Sequence, residues 1–281
     1  MGKTIVITGS SDGIGAAAAR QLKAGGHSVV IVGRNAAKAE KVARELGAPY
    51  HIADYAKLCD VVRLSQELAA YPRIDVLANN AGAMLNARAV TEDGFEQTFQ
   101  VNVLAGFLLT SLLTDKLCQC RATVIQTSSI AANLFGRKLD IDDLQNERSY
   151  TPIKAYSEAK LCGILLTREL HRRYHAAGVH AVAFEPGIPR SNFASESFWF
   201  FKTAYHTPLK YLFTISPQKS AERMVRLALG TADEDFACGL TYSGGKPYQV
   251  WFKDDGTIAK ALWDRCEEMV SRYIPRGAHM A

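Results

Sequence analysis

In the stretch TPIKAYSEAKLCG, residues 151–163, a tyrosine and a lysine stand four positions apart, Tyr156 and Lys160. On a helix that spacing puts both side chains on one face, with Cβ atoms roughly 5–6 Å apart. Free tyrosine, with a pKa of about 10, is a poorly matched acid–base near neutral pH. Lowering it by about 3 units needs roughly 4 kcal/mol of preference for the phenolate. One cation about 4 Å away supplies around 4 kcal/mol at an effective dielectric near 20. The pair therefore has the makings of a proton donor to a carbonyl oxygen whose carbon accepts hydride. An isolated pair at this spacing is also what an ordinary helix surface presents, so the surrounding elements decide.

The first of these is a nucleotide site. An apolar run, KTIVITG, leads directly into TGSSDGIG, where Gly9, Gly13 and Gly15 are spaced G-x-x-x-G-x-G ahead of an alanine-rich helix start. Such glycines allow a tight turn and a close approach of backbone N–H groups to a diphosphate, which the positive end of the helix also favours. Ser11, Asp12 and Ile14 share this turn. Where an NAD site normally has a carboxylate for the ribose 2′-hydroxyl, this chain reads VGRNAAK. Arg34 stands where a 2′-phosphate would lie, with Asn35 after it, and a guanidinium offers that phosphate a fork of donors. NADP(H) is the expected cofactor. Asp54 follows the third apolar run and could accept from an adenine amino group, with Tyr55 beside it. ANNAG ends the fourth run and brings Asn80, Ala81 and Gly82 to the same edge; both segments also read as plain strand terminators.

Apolar runs rich in β-branched residues recur at 3–8, 27–32, 49–53, 74–79, 121–127 and 179–185, with helix-length segments between them. That alternation predicts an α/β fold: a doubly wound, mostly parallel sheet of Rossmann type, with helices on both faces. A seventh strand is expected near ACGLTYSG, after a helix at about 217–230, and a last helix at about 257–273. Residues 1–275 read as one domain and 276–281 as a disordered tail. Two segments break the rhythm: a polar insertion at 130–152, and residues 188–216, which carry a concentration of aromatic side chains between Phe193 and Phe213. The position of the second, after Pro186-Gly187, predicts a lid over an apolar pocket; an interface or a membrane-facing patch is the alternative.

The chain has 281 residues, 48% hydrophobic and 22% charged, enough for a full core. A net charge of +5 comes from 33 basic and 28 acidic residues without a run of one sign, which argues for an anionic cofactor more than for nucleic acid. The apolar runs are strand-sized, well short of the roughly 20 residues that span a bilayer, and no secretory leader is expected ahead of Lys3. Six scattered cysteines read as reduced thiols and the expected compartment is cytoplasmic.

TGSSDGIG, NNAG, VNVLAGF, TSSIA, YSEAK and EPGIPRS, in this order over residues 3 to about 191, resemble the short-chain dehydrogenase/reductase family. The segment GRKLDIDDLQ, with AYSEAKLCGILLTRELHRRYHAAGV after it, resembles the retinol-dehydrogenase-like and protochlorophyllide-reductase-like branch. The resemblance implies that Ser129, the second of two adjacent serines, donates to the substrate oxygen. It implies that Lys160 also holds the nicotinamide ribose, that Asn102 props a water linking Lys160 to solvent, and that Pro186, Gly187 and Ser191 border the nicotinamide. The chain departs from many relatives at Glu158, Glu185 and Pro189, where Ser, His and Val are common.

The resulting expectation is an NADP(H)-dependent oxidoreductase that interconverts a carbonyl and an alcohol on an apolar substrate. Reduction of an activated C=C bond, and a cofactor-binding regulator without chemistry, are the rivals. His171 and His175 are four apart on one helical segment, but no third ligand stands near them in sequence, and no metal is expected. The sequence leaves open whether the chain associates with copies of itself.

Overall fold

The computed structural model describes residues 2–134, 139–187, 215–254 and 256–274. The tail, Ser191, and nearly all of the expected lid lie outside them. One sheet of eight strands runs in the order β3-β2-β1-β4-β5-β6-β7-β8. The strands are β1 (Thr4–Thr8), β2 (Ser28–Gly33), β3 (Tyr50–Ile52), β4 (Val76–Asn79), β5 (Thr123–Thr127), β6 (His180–Glu185), β7 (Thr241–Ser243) and β8 (Lys246–Pro247). The first seven are parallel. The eighth, absent from the sequence reading, is a two-residue antiparallel return after the Gly244-Gly245 turn.

Alternate residues of each strand face opposite sides. Val6, Val30, Leu77, Val124 and Ala183 enter one core cluster, with α3 (Leu58–Ala69), α4 (Gln97–Leu112), α6 (Pro152–Tyr174) and α8 (Thr257–Val270). Ile5, Ile7, Ile31, Ile125, Val182 and Phe184 enter the other, with α1 (Gly13–Ala24), α2 (Ala36–Leu46) and α7 (Pro217–Leu229). α5 (Thr114–Cys120) follows α4 after a sharp bend. Among the described residues no single helix is long and apolar enough to cross a membrane.

Helix starts are set locally. Asn35 caps α2 by accepting from the Lys38 N–H, and Thr151 and Ser216 do the same for α6 and α7, each followed by proline at the first helical position. The polar insertion is anchored to α6 by Glu158: its Oε2 accepts from Asn146 Nδ2 at 2.9 Å, and the Lys154 ammonium lies 3.5 Å from Oε1. A carboxylate here, in place of the smaller serine, reaches the insertion.

Candidate active site at the carboxyl ends of the strands

Strand order reverses between β1 and β4, which opens a crevice at their carboxyl ends. The Thr8 hydroxyl spans it, accepting from the N–H groups of Asn80 (2.9 Å) and Ala81 (3.0 Å) and donating to Ala78 O. Asn80 Nδ2 donates back to Thr8 O at 2.9 Å. Ser10, fully buried, donates to Ile7 O at 2.6 Å and accepts from Val32 N–H at 3.0 Å, fixing the loop to β2.

The three glycines of this loop have different duties. A Cβ on Gly15 would sit 2.6 Å from Gly9 O, and one on Gly9, at φ +66°, would sit 2.9 Å from Ala81 Cα. Both positions serve close packing of the two turns. Gly13, at φ +55°, has no atom within 4 Å of its would-be Cβ, so of the three it is the one whose backbone opens outward, at the start of α1. Gly33 was missed in the sequence: a Cβ there would strike Ser11 at 2.8 Å. The signal was its place at the end of the second apolar run.

Arg34 is exposed at the end of β2. One turn into α2, Lys38, also missed, pairs with the Asp12 carboxylate at 2.7 Å and holds that carboxyl below its usual range. Ile14 is half-buried against the core. Asp54 is half-buried and accepts from the Ala56 N–H at 3.1 Å. Tyr55, a sequence candidate for the cofactor edge, is buried as part of the hydrophobic core.

The proton-transfer candidates come from three elements. α6 carries Tyr156 and Lys160, both buried. Ser129, just past β5, hydrogen-bonds to the Tyr156 phenol and caps a short 3-10 turn by accepting from Ala131 N–H. Its neighbour Ser128 faces away, donating to Lys160 O at 3.1 Å. Lys160 Nζ donates to Thr127 O at 3.2 Å and lies 5.4 Å from the centroid of the Tyr156 ring. α4 carries Asn102 within a π-helical turn, Gln100–Leu104, a distortion common at functional sites. Its amide nitrogen is tied to Ala83 O (2.6 Å) and Thr98 O (2.8 Å), while Oδ1 is buried with no partner among the described residues.

The electrostatics differ from the sequence argument. Burial pushes the Tyr156 phenol well above its ordinary value; the Ser129 hydrogen bond pulls it down and the Glu185 charge pushes it up. Burial pushes Lys160 down to about 8. Desolvation is the largest influence on both groups, and it disfavours the charged form of each.

Glu185, fully enclosed at the end of β6, carries the Pro186-Gly187 corner. It accepts from the Gly187 N–H, from Ser243 Oγ at 2.7 Å and from the Arg223 guanidinium at 2.9 Å. Gly187 turns at φ +86°, where a Cβ would strike Ile215.

The family model for short chain dehydrogenase matches residues 3–198. A Streptomyces sp. (strain C5) protein assigned as a daunorubicin C-13 ketoreductase, DnrU, is 39% identical over 94% of this chain and 91% of its own length. Human retinol dehydrogenase 14 is 34% identical over 96% of this chain and 86% of its own. A crystal structure of an uncharacterized protein from Mycobacterium paratuberculosis superposes with a TM-score of 0.75 at 29% identity, covering 96% of this chain and 93% of that one. The chain belongs to the short-chain dehydrogenase/reductase family, in its retinol-dehydrogenase-like branch, and is a pyridine-nucleotide oxidoreductase of carbonyl and alcohol groups.

Proposed function

We propose that the protein is an NADP(H)-dependent reductase of a ketone or aldehyde on an apolar substrate, with Tyr156 as proton donor. The observation that carries this reading is the Tyr156 phenol, hydrogen-bonded to Ser129 and flanked by the buried Lys160 ammonium at the mouth of the crevice. The residues fit a dinucleotide: Gly13 and the first N–H groups of α1 would take the diphosphate, and Arg34 and Lys38 the 2′-phosphate. Lys160, Gly82, Pro186 and Gly187 would border the nicotinamide. When bound, the cofactor supplies hydride.

Tyr156 gives its proton to the substrate oxygen, and Ser129 holds that oxygen as charge gathers on it. The raised phenol pKa suits a group that must arrive protonated. The positive charge of Lys160 beside it stabilises the phenolate left behind, and an oxidised nicotinamide would add to it when bound. Asn102 Oδ1, buried near Lys160 with no partner among the described residues, would accept from a water that returns the proton. Exposed Ile130 and Leu134 follow Ser129, and exposed Trp251 donates its backbone N–H to Asn133 Oδ1, which supports an apolar substrate. The names of the two relatives, for retinol and for daunorubicin, point the same way. Six free cysteines suit a reducing, cytoplasmic setting.

The test is oxidation of NADPH and NADH against retinals, steroids, quinones and aliphatic aldehydes. A higher kcat/KM with NADPH is expected, and Tyr156→Phe should keep NADPH binding while losing about 10²–10⁴-fold in turnover. Preference for NADH, or tight NADPH binding with no panel carbonyl reduced, would overturn the proposal.

A further inference from the structure

A second group of chemically capable side chains lies at the opposite end of the sheet. His175 caps the carboxyl end of α6, His180 opens β6, and Asp233 and Cys238 sit in the loop between α7 and β7. One donor atom from each lies within 4.8 Å of all the others. His175 Nε2 is 3.4 Å from Asp233 Oδ2, and His180 Nδ1 is 3.9 Å from Cys238 Sγ. A tetrahedral zinc ion, with bonds of about 2.0–2.1 Å to nitrogen or oxygen and about 2.3 Å to sulfur, needs donors roughly 3.3–3.6 Å apart. The two close pairs are near that spacing, and the widest must draw in by up to about 1.2–1.5 Å.

The surroundings hold these side chains in place. Asp233 has a left-handed backbone, φ +63°, and its other oxygen, Oδ1, accepts from the Cys238 N–H at 3.2 Å. That bond leaves Oδ2 for a ligand, the kind of outer contact that orients metal-binding carboxylates. Gly239, at φ +76°, packs under the His171 ring, which lies tilted against His175 with centroids 4.5 Å apart. His175 Nδ1 is buried with no hydrogen-bond partner among the described residues. The sulfur is on a buried cysteine, so the cluster is reached from the exposed Asp233 side.

We propose that His175, His180, Asp233 and Cys238 form a structural zinc site that staples the α6–β6 turn to the α7–β7 loop. Mixed nitrogen, sulfur and oxygen donors select zinc over magnesium or calcium. Four protein ligands fill the tetrahedron, which leaves no position for substrate. The site is also remote from the crevice: His180 and Glu185 are the two ends of β6, about 17 Å apart at roughly 3.3 Å per residue.

The test uses the whole chain, stripped with a chelator and titrated with Co²⁺. Stoichiometric cobalt should give tetrahedral d–d bands with a thiolate-to-cobalt charge-transfer band, both displaced by Zn²⁺, and zinc should raise Tm. Cys238→Ser should lose the charge-transfer band while circular dichroism and NADPH binding stay those of the wild type. Asp233→Asn should weaken cobalt binding by about 10-fold or more; asparagine tolerates the left-handed backbone there, so this exposed variant folds even if the cysteine variant does not. Folded wild type with no charge-transfer band, a band that persists in Cys238→Ser, or unchanged affinity in Asp233→Asn would each overturn the site.

Discussion

Asn102 Oδ1 and Lys160 Nζ converge on the same point above Gly82: a methyl group built there would lie 2.7 Å from the first and 3.2 Å from the second. The two arrive from different helices, and the absence of a side chain at Gly82 is what lets them meet. Gly82→Ala should displace one of them, and Asn102 is held by two hydrogen bonds, so the lysine yields. A misplacement near 1 Å is worth about 10²-fold in turnover. Steady-state kinetics beside a thermal melt will separate this from unfolding; an unaltered kcat would remove Gly82 from the account.

Lys160 sets a pH limit. Its folded pKa, about 8, lies below the ordinary 10.5, so the buried charge costs stability in full below pH 8, and the cost fades as pH rises toward 10.5. Lys160→Met should therefore stabilise the cofactor-free chain at pH 7 by up to about 3 kcal/mol, with the gain gone near pH 10.5. In the wild type, kcat/KM for reduction should fall as pH rises through about 8 and Lys160 loses its proton. Thermal melts at several pH values, together with a pH–rate profile, check both.

Cofactor choice rests on the exposed end of β2. Arg34→Glu should lower kcat/KM for NADPH by about 10–100-fold, corresponding to the roughly 1.5–3 kcal/mol of a hydrogen bond to a charged group. NADH should suffer far less. Equal losses with both cofactors would mean that Arg34 does not read the 2′-phosphate.

The buried carboxylate at the Pro186-Gly187 corner depends on its partner. Arg223→Met leaves the enclosed Glu185 without its cationic partner, and should destabilise by about 3–5 kcal/mol. Glu185→Gln in the same chain should recover part of the loss. Denaturant melts of the single and double variants measure the coupling.

Much of the scaffold was legible because its signals are local. The six apolar runs fall within one or two residues of β1 to β6, and Pro152 and Pro217 announce their helices. The adjacency of Tyr156 and Lys160 follows from helical spacing alone. The burial of Tyr55 was not legible, because packing and not residue type decides that its ring joins the core. The duties of Gly9 and Gly15 were blurred for the same reason: their sequence shows that a turn is needed, not which backbone stands opposite.

The linear chain by itself determined the alternation of strands and helices in the doubly wound sheet, the nucleotide loop and the Tyr–Lys helix, since each is written within a dozen residues or repeats along the chain; the strand order came from the fold. Tertiary structure decided what depends on burial and on distant partners. Enclosure raises the Tyr156 phenol and lowers Lys160. Only the folding of β6 beside β7 brings His175 and His180 to Asp233 and Cys238, more than fifty positions away. Charge and metal affinity respond to three-dimensional surroundings, and no spacing rule along the chain encodes them.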